Sequence, residues 1–450
     1  MKIIIVGCGR VGRTLAEKLN DDGNDVIVID RSAEKVERVV NRCDVMGVVG
    51  NGASYTTQRE AGIENADLLI AVTNSDELNL LCCIIAQKEG NCQTIARVKN
   101  PDYSGDAQYL KEELDLAMVI NPEYESAEEI ARVLRFPSAI KIEPFAKGKV
   151  ELIKFKLQKD SLAIGLSVKD LVAKYHLDVL ICTIERGEEA FIASGDFVFA
   201  EKDVVSIVAS PKKANEFFKK LHSKGHSVKN ALVVGGGVLT HYLCEILSHT
   251  GIGIKVIEKN KTLCEEIADA WENVDVIHGD YTDHGLLLEE GVANADAFVG
   301  LADLDEENIL LSIFAKSVGC TKLVTKINRI DYDNVINQLE LDTTVCPRAV
   351  TADSILRHVR AMKNTRGSNV ETLCNLINGK VEASEFVVRE GSEVIGVPLY
   401  QLKFKKNILI ASITRGEEVI VPRGQDMIMA GDRVVVVSSF ALHDVSDVLK

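Results

Sequence analysis

The chain has 450 residues with 52 Lys and Arg against 67 Asp and Glu, a formal net charge of −15. An acidic surface repels phosphate backbones and anionic headgroups, so nucleic-acid binding and direct electrostatic docking on lipid are disfavoured. With 46% hydrophobic and 26% charged residues, the composition is that of a globular protein, not of a disordered chain or a disulfide scaffold.

No run reaches the ~18 apolar residues of a spanning helix. A glycine loop follows residues 2–6 at once, which leaves no room for a signal-peptide core. The 11 cysteines are odd in number and contain no C-x-x-C pair, the pattern of free buried thiols in a reducing cytoplasm.

In chain order, apolar runs at 3–6, 26–29, 68–72 and 94–98 alternate with helical patterns at 14–19, 33–40 and 77–87. Buried β-branched runs separated by helices predict βαβ units and a doubly wound parallel sheet of Rossmann type. The first run opens into Gly7-Cys8-Gly9-Arg10-Val11-Gly12, and Asp30 closes the next strand. Each part of this fingerprint has its own physical reason. Gly7 permits the tight turn, Gly9 admits a pyrophosphate to the backbone, and Gly12 lets helix and strand pack closely. The helix N-terminus then stabilises phosphate charge. Asp30 is expected to accept from an adenosine ribose and to repel a 2′-phosphate, favouring NAD over NADP, a preference that Arg31 softens. Asn51 and Gly52 follow a third strand expected just before them, Thr73 and Asn74 follow the run at 68–72, the fourth strand, and Arg97 ends the fifth at 94–98, all on the side where such sheets bind ligands. Helix N-capping is the expected role of Asp76 and Glu77, and likewise of Asp305 and Glu306.

An amphipathic segment at 123–134 leads to a different module, strand-like at 150–157, 179–185 and 204–208, with a charged turn at 185–189. This reads as a small α+β unit. The lysine-rich stretch 212–229 reads as a solvated helix and linker.

At that point the chain repeats. Gly7, Gly9 and Asp30 map onto Gly235, Gly237 and Glu258 by a shift of 228 residues. A shift of 229 takes Asp76, Glu77 and Asn79 to Asp305, Glu306 and Asn308, Arg97 to Lys326, and Asp203 to Asp432. The chain is a tandem duplication. The copy departs from the original at Thr240, which replaces the third glycine and is expected to push helix and strand apart. Gly236 stands where the first unit has Cys8. Asp280 and Ala302 are the counterparts of the Asn51 and Thr73 positions.

The chemistry that is missing narrows the function. Residues 1–175 contain no His, the commonest proton relay of hydroxy-acid dehydrogenases. His278 and His284 flank Asp280 and Asp283 in the second unit alone, where solvated loop histidines are expected over a metal site. Cys8 begins a helix, where a thiol pKa can fall. The repeated α+β modules place strands at 204–208 and 434–437, expected as exposed edges that pack in a dimer in preference to holding a second messenger such as a cyclic dinucleotide. A two-domain NAD-dependent oxidoreductase and a freestanding nucleotide sensor are the competing functional readings.

VGCGRVG at 6–12, VIDR at 28–31, REAG at 59–62, AVTNSDE at 71–77, ARVKNPDY at 96–103, VGGG at 234–237, IEKN at 257–260, HGD at 278–280 and DEEN at 305–308 together resemble the regulatory, nucleotide-binding subunits of Trk-type potassium uptake systems, the TrkA family. The resemblance covers the whole chain. It implies an RCK N-domain at 1–125, a linker helix at 126–140 and an RCK C-domain at 141–225, then 229–348, 349–375 and 376–450 for the second set. It further implies a peripheral, non-enzymatic protein on the cytoplasmic face, assembled as a homo-oligomer, a tetramer, on a potassium-conducting membrane subunit. The implied ligands are NAD(H) and ATP or ADP. Their contacts would be Gly7 to Val11, Asp30, Asn51, Thr73 and Arg97 in the first unit. In the second they would be Gly235, Gly236, Gly237, Val238, Leu239, Glu258, Asp280, Ala302 and Lys326.

Overall fold

The computed structural model of the chain describes all residues except 101–102, 104–106, 137, 160, 188, 222–227, 329–338, 340, 365–369 and 377–379. The first unit begins with β1 (Lys2–Val6), α1 (Arg10–Asp21), β2 (Asp25–Asp30), α2 (Ala33–Val40), β3 (Met46–Val49) and α3 (Tyr55–Glu60). It continues with β4 (Leu68–Ala71), α4 (Asp76–Gly90), β5 (Gln93–Arg97), α5 (Ala107–Glu113) and β6 (Met118–Ile120). The six strands form one parallel sheet in the order β3-β2-β1-β4-β5-β6. Ile3, Ile4 and Ile5 are wholly buried. A strand buried on both faces is what a run of β-branched residues without alternation produces when helices cover each side. The order reverses between β1 and β4, which opens a crevice at their carboxyl ends.

Helix α6 (Pro122–Leu134) follows, capped by Asn121, whose side chain accepts the amides of Glu123 and Tyr124. The α+β module comprises β7 (Ala139–Phe145), β8 (Val150–Lys156), α7 (Val168–Tyr175), β9 (Leu180–Arg186), β10 (Glu189–Ile192), β11 (Val204–Ala209) and α8 (Pro211–Leu221). Its sheet is antiparallel, in the order β10-β9-β11-β8-β7.

The second unit repeats the plan with β12 (Asn230–Val234), α9 (Val238–Leu247), β13 (Gly253–Glu258), α10 (Lys261–Ala270), β14 (Val274–His278) and α11 (His284–Glu289). Then come β15 (Ala297–Gly300), α12 (Asp305–Ser317), β16 (Lys322–Lys326), β17 (Thr343–Val345) and α13 (Pro347–Asn364). The closing module holds β18 (Val370–Leu376), β19 (Val381–Val387), β20 (Ile408–Arg415), β21 (Glu418–Ile420) and β22 (Arg433–Ser438). The helix read at 349–375 thus ends at Asn364, and β18 takes up 370–376.

One expectation is overturned here. The strands at 204–208 and 434–437 are not edges: β11 lies between β9 and β8, and β22 between β19 and β20. Val434 to Val437 are wholly buried. The two antiparallel sheets face one another across Phe145, Leu152, Cys182, Ala383, Ala411 and Val435. An all-apolar run was compatible with an exposed edge only while the opposing sheet was unknown.

The linking helices cross over. Ala352, Ile355, Leu356 and Val359 of α13, from the second unit, complete the core of the first parallel sheet. Ile130, Val133 and Leu134 of α6 join a core with Leu239, Leu243 and Leu247 of α9. Burying Ile, Leu or Val contributes roughly 1.5–3 kcal/mol each, so each unit is held in part by the other's linker. None of the described cysteines forms a disulfide, and all except Cys346 are buried. No helix among the described residues is long and apolar enough to cross a membrane.

Candidate functional site: two glycine-loop crevices

Gly7 adopts φ +106°, and a Cβ there would lie 3.1 Å from the backbone of Val72 and Thr73. A Cβ on Gly12 would fall 1.8 Å from the Gly7 carbonyl oxygen, so α1 and β1 meet at a distance only glycine allows. Gly9 faces open space. It ends the loop in extended conformation as the N-cap of α1, without a side-chain cap. The first-turn amides of α1 therefore lack intrahelical partners and point to the crevice.

Asp30 is held rigidly at the end of β2. Its Oδ2 accepts the Cys8 amide at 2.8 Å and its Oδ1 the Ser32 amide at 2.9 Å. Each carboxylate oxygen keeps a second acceptor site, which is what a ribose diol requires. The Arg31 guanidinium donates to Asn51 Oδ1 at 2.9 Å and is thereby drawn toward β3. The Cys8 thiol does not ionise readily. Burial, reinforced by the Asp30 charge, pushes its pKa up to about 12, against the effect expected of a helix N-terminus.

Across the crevice, Asn79 is the organiser that the sequence disclosed only as a repeated position. Wholly buried, it accepts the Thr73 amide at 2.8 Å and the Thr73 hydroxyl at 2.7 Å, and donates to the Arg97 carbonyl at 2.8 Å. It ties the ends of β4 and β5 together. Asp76 is not the cap of α4. Ser75 caps that helix through the Leu78 amide, while Asp76 accepts the amides of Lys99 and Asn100 at 2.8 Å each and clips the loop after β5.

Arg97 is 6% exposed and donates to the Thr73 carbonyl. Its Nε has no hydrogen-bond partner among the described residues. Burial lowers its pKa, opposed by Asp76 and Glu123. Lys99 is lowered by burial and then by Arg97.

These residues open on a cavity of about 510 Å³. Cys8, Gly9, Arg10, Val11, Asn74 and Arg97, all expected at the site, line it. Gly52 does not: it is packed on Val6 and Cys82, and a Cβ there would lie 2.1 Å from Val6 Cγ1. Asp30, Asn51 and Thr73, also expected at the site, are not among its lining residues: Asp30 holds the loop through the Cys8 amide, Asn51 holds Arg31, and Thr73 is held by Asn79. Arg13, Lys35 and Arg38 were not anticipated as lining residues. Nor was the far wall, made by Asn328, Pro347, Arg348 and Thr351 of the second unit. A helical spacing of cations on α1 and α2 was the available signal, but only the crossing of α13 reveals that they face a wall.

The second crevice shares the frame. Gly235 has φ +96° and lies against Leu301 and Ala302. Glu258 accepts the Gly236 amide at 2.6 Å and the Asn260 amide at 2.7 Å. Asn308 accepts the Ala302 amide at 2.8 Å and donates to the carbonyls of Ala302 at 2.9 Å and Lys326 at 3.0 Å. Lys326 Nζ donates to the Leu301 carbonyl at 3.0 Å. Thr240 is accommodated by a bond, not merely by separation, since its hydroxyl donates to the Gly235 carbonyl at 2.5 Å. Val238 is exposed, but Leu239 is a core residue at 3% exposure and offers a ligand only its backbone. Asp280 is exposed and accepts the amide and hydroxyl of Thr282 at 2.9 and 2.7 Å, forming a local turn. His284 stacks on Phe314, and no metal-binding cluster occurs among the described residues.

Two family models match the chain twice each, the TrkA-N domain at residues 3–122 and 231–347 and the TrkA-C domain at 152–222 and 383–445. The chain belongs to the TrkA family. The Trk system potassium uptake protein TrkA homolog 1 of Methanosarcina mazei is 34% identical over 446 residues, covering 97% of both chains. TrkA of Halomonas elongata is 31% identical, covering 97% of this chain and 95% of its own. Among solved structures, the GsuK RCK domain matches with a TM-score of 0.63 at 13% identity over 97% of this chain and 92% of that one. The GsuK channel bound to NAD matches with a TM-score of 0.64 at 13% identity over 97% and 76%. The TrkA fold is therefore two Rossmann-like parallel sheets, each followed by a five-stranded antiparallel module, as expected.

Proposed function

We propose that this chain is the nucleotide-binding regulatory subunit of a potassium uptake system. It binds NAD(H) or an adenine nucleotide in its glycine-loop crevices and passes the occupancy to a potassium-conducting membrane partner. The relatives are named as Trk potassium uptake proteins, and structures of similar fold are described as bound to NAD and to ADP. The observation that carries the reading is the far wall of the first crevice. Residues Asn328 and Arg348 belong to the second unit, so a ligand touches both halves at once. Such a ligand favours the arrangement of halves that it fits, and a coupling of ~1–3 kcal/mol is typical of allosteric switches.

The chain acts by binding and not by turnover. Among the described residues, the one acidic group lining the first crevice is Glu123, set among cations, and the Cys8 thiol is held neutral. The glycine loops, Asp30, Glu258, Asn79 and Asn308 supply ligand recognition and strand positioning. The working form is a homotetramer docked on the cytoplasmic face of the membrane through its partner, with no lipid contact of its own.

The test has two readouts. Purified chain is titrated with NADH, ATP and ADP, and potassium flux through the reconstituted membrane partner is followed with each ligand. Saturable binding together with ligand-dependent flux supports the proposal. Binding without any change in flux leaves a freestanding sensor and overturns it, while oxidation of NADH by a metabolite would return the oxidoreductase reading.

A further inference from the structure

Helices α6 and α13 pack on one another where the two units cross, and the crossing is not filled. Two cavities, of about 330 Å³ and about 420 Å³, open beside it and share Lys141, Glu143, Asp353 and Arg357. The cations there are already engaged. Lys141 meets Glu143 at 2.5 Å, and Arg357 approaches the same carboxylate at 3.7 Å. Arg132 meets Glu128 at 3.5 Å, and Lys18 meets Asp353 at 2.8 Å. Glu129 of α6, which lines the larger of the two cavities, is left with no ion-pair or hydrogen-bond partner among the described residues. Around it stand Glu125, Glu128 and Arg132 of its own helix, Lys141 and Glu143 of β7, and Asp353 and Arg357 of α13. Asp342 and the Cys346 thiol, held neutral by burial, complete the wall.

The duplication shows that the fold does not require this acid. Ser126 and Thr351 each bond back to the first carbonyl of their helix, at Pro122 and Pro347, which aligns α6 with α13 at a shift of 225. At that shift Glu128 and Arg132 keep their counterparts in Asp353 and Arg357, but Glu129 falls on Ser354.

We propose that Glu129 makes the crossing of α6 and α13 a proton-controlled joint. With its carboxyl neutral, the two helices close on the cavity. With it ionised, Glu143, Asp353 and Glu125 repel it, water enters the polar space, and the helices part. Burial pushes the Glu129 pKa up to about 7, opposed by Lys141 and reinforced by Glu143, so the change falls near neutral pH. Glu125 is raised as well, by burial and then by Glu128, and acts in the same direction. Each helix is seated in the other unit, α13 in the core of the first parallel sheet and α6 against α9. Parting them therefore turns one half on the other. The joint rests on the reading above, in which the arrangement of the halves is the output, and gives that output a second input besides nucleotide.

The experiment compares hydrogen exchange in full-length wild type and Glu129→Gln, whose amide imitates the neutral acid, at matched pH so that intrinsic exchange cancels. At about pH 8 the amides of α6 and α13 should exchange about tenfold faster in wild type, and at about pH 5.5 the two proteins should agree. Glu129→Ser, the second unit's own residue, should lose the same pH dependence. In wild type a protonated-carboxyl infrared band should fade between those pH values, which needs no variant to be seen. The proposal is overturned if wild type and Glu129→Gln differ equally at both pH values, if they differ at neither, or if no carboxyl band is lost. Exchange as expected, with potassium flux indifferent to nucleotide at every pH, would instead remove the regulatory reading and leave the joint standing.

Discussion

Glu258 reaches the amides of Gly236 and Asn260 just as Asp30 reaches those of Cys8 and Ser32, and the extra methylene of the longer acid occupies the space that Gly236 leaves. A Cβ on residue 236 would sit 2.8 Å from Glu258 Cγ. The two substitutions between the halves are therefore one exchange, in which Cys with Asp becomes Gly with Glu. Gly236→Ala alone should cost about 1–3 kcal/mol through overpacking. Glu258→Asp alone should lose about 1 kcal/mol or more of hydrogen bonding. Gly236→Cys with Glu258→Asp, which restores the first unit's pair, should recover most of the loss. Denaturant midpoints of the two single variants and the pair form a double-mutant cycle, and simple additivity would contradict the coupling.

The third position of the glycine loop behaves differently in the two halves. Gly12→Ala places a Cβ on the Gly7 carbonyl and should destabilise by about 3 kcal/mol, at the upper end of overpacking costs. Thr240→Ser keeps the hydroxyl that bonds the Gly235 carbonyl and should cost under about 1 kcal/mol. Thermal melts of the two variants under identical conditions check the contrast. Equal losses would mean that the junctions are alike.

The antiparallel modules repeat an ion pair whose carboxylate is buried. Arg186 meets Asp203 at 2.8 and 2.7 Å, and 229 residues later Arg415 meets Asp432 at 2.9 and 2.8 Å. Both carboxylates are at most 1% exposed, and each also accepts a backbone amide, from Ala200 and from Met429. Arg186→Met or Arg415→Met strands a buried charge. Each should cost about 1–3 kcal/mol, less than a wholly buried pair because the guanidinium is nearly half exposed. The two losses should match, as measured by unfolding of each variant, since the surroundings repeat.

Lys322 is wholly buried where β16 meets β7, donating to Thr343 Oγ1 at 3.0 Å and to the Ala139 carbonyl. Burial lowers its pKa from 10.5 to about 8, against the pull of Asp342. Between those values the unfolded chain holds more protons than the folded one, so stability should rise as pH climbs through that window. The gain should total about 3 kcal/mol. Lys322→Met should flatten the slope and leave the chain at least as stable near neutrality, where the wild type bears the cost of a buried ammonium. Denaturant midpoints measured across the alkaline range decide it, and a slope unchanged by the substitution would assign the rise to other groups.

The duplication, the parallel sheets and both glycine loops were legible because they rest on local rules. Residues Ile3 to Val6 and Ala231 to Val234 can be little other than buried strands. Gly7 and Gly235 mark turns that a side chain would strain, and the spacing to Asp30 and Glu258 is set by one helix and one strand. The roles of Asn79 and Asp76 were less legible, because an Asn inside a helix and an acid in its first turn satisfy several local patterns equally well. Which loop each side chain clips depends on where β5 ends in space. The misplacement of β11 and β22 as edges has the same origin: strand order in an antiparallel sheet is a matter of non-local hydrogen bonding.

What the sequence by itself determined is the pair of nucleotide-type crevices and their repeated architecture, since turn conformation, hydrophobic period and carboxylate spacing act within about thirty residues of chain. What only the tertiary structure decided is that the halves are interlocked. Helix α13 buries Ile355 and Val359 in a core more than two hundred residues away and thereby carries Arg348 to the other half's crevice. That arrangement arises from apolar faces that can be covered in several ways, and the complementarity of complete surfaces selects among them.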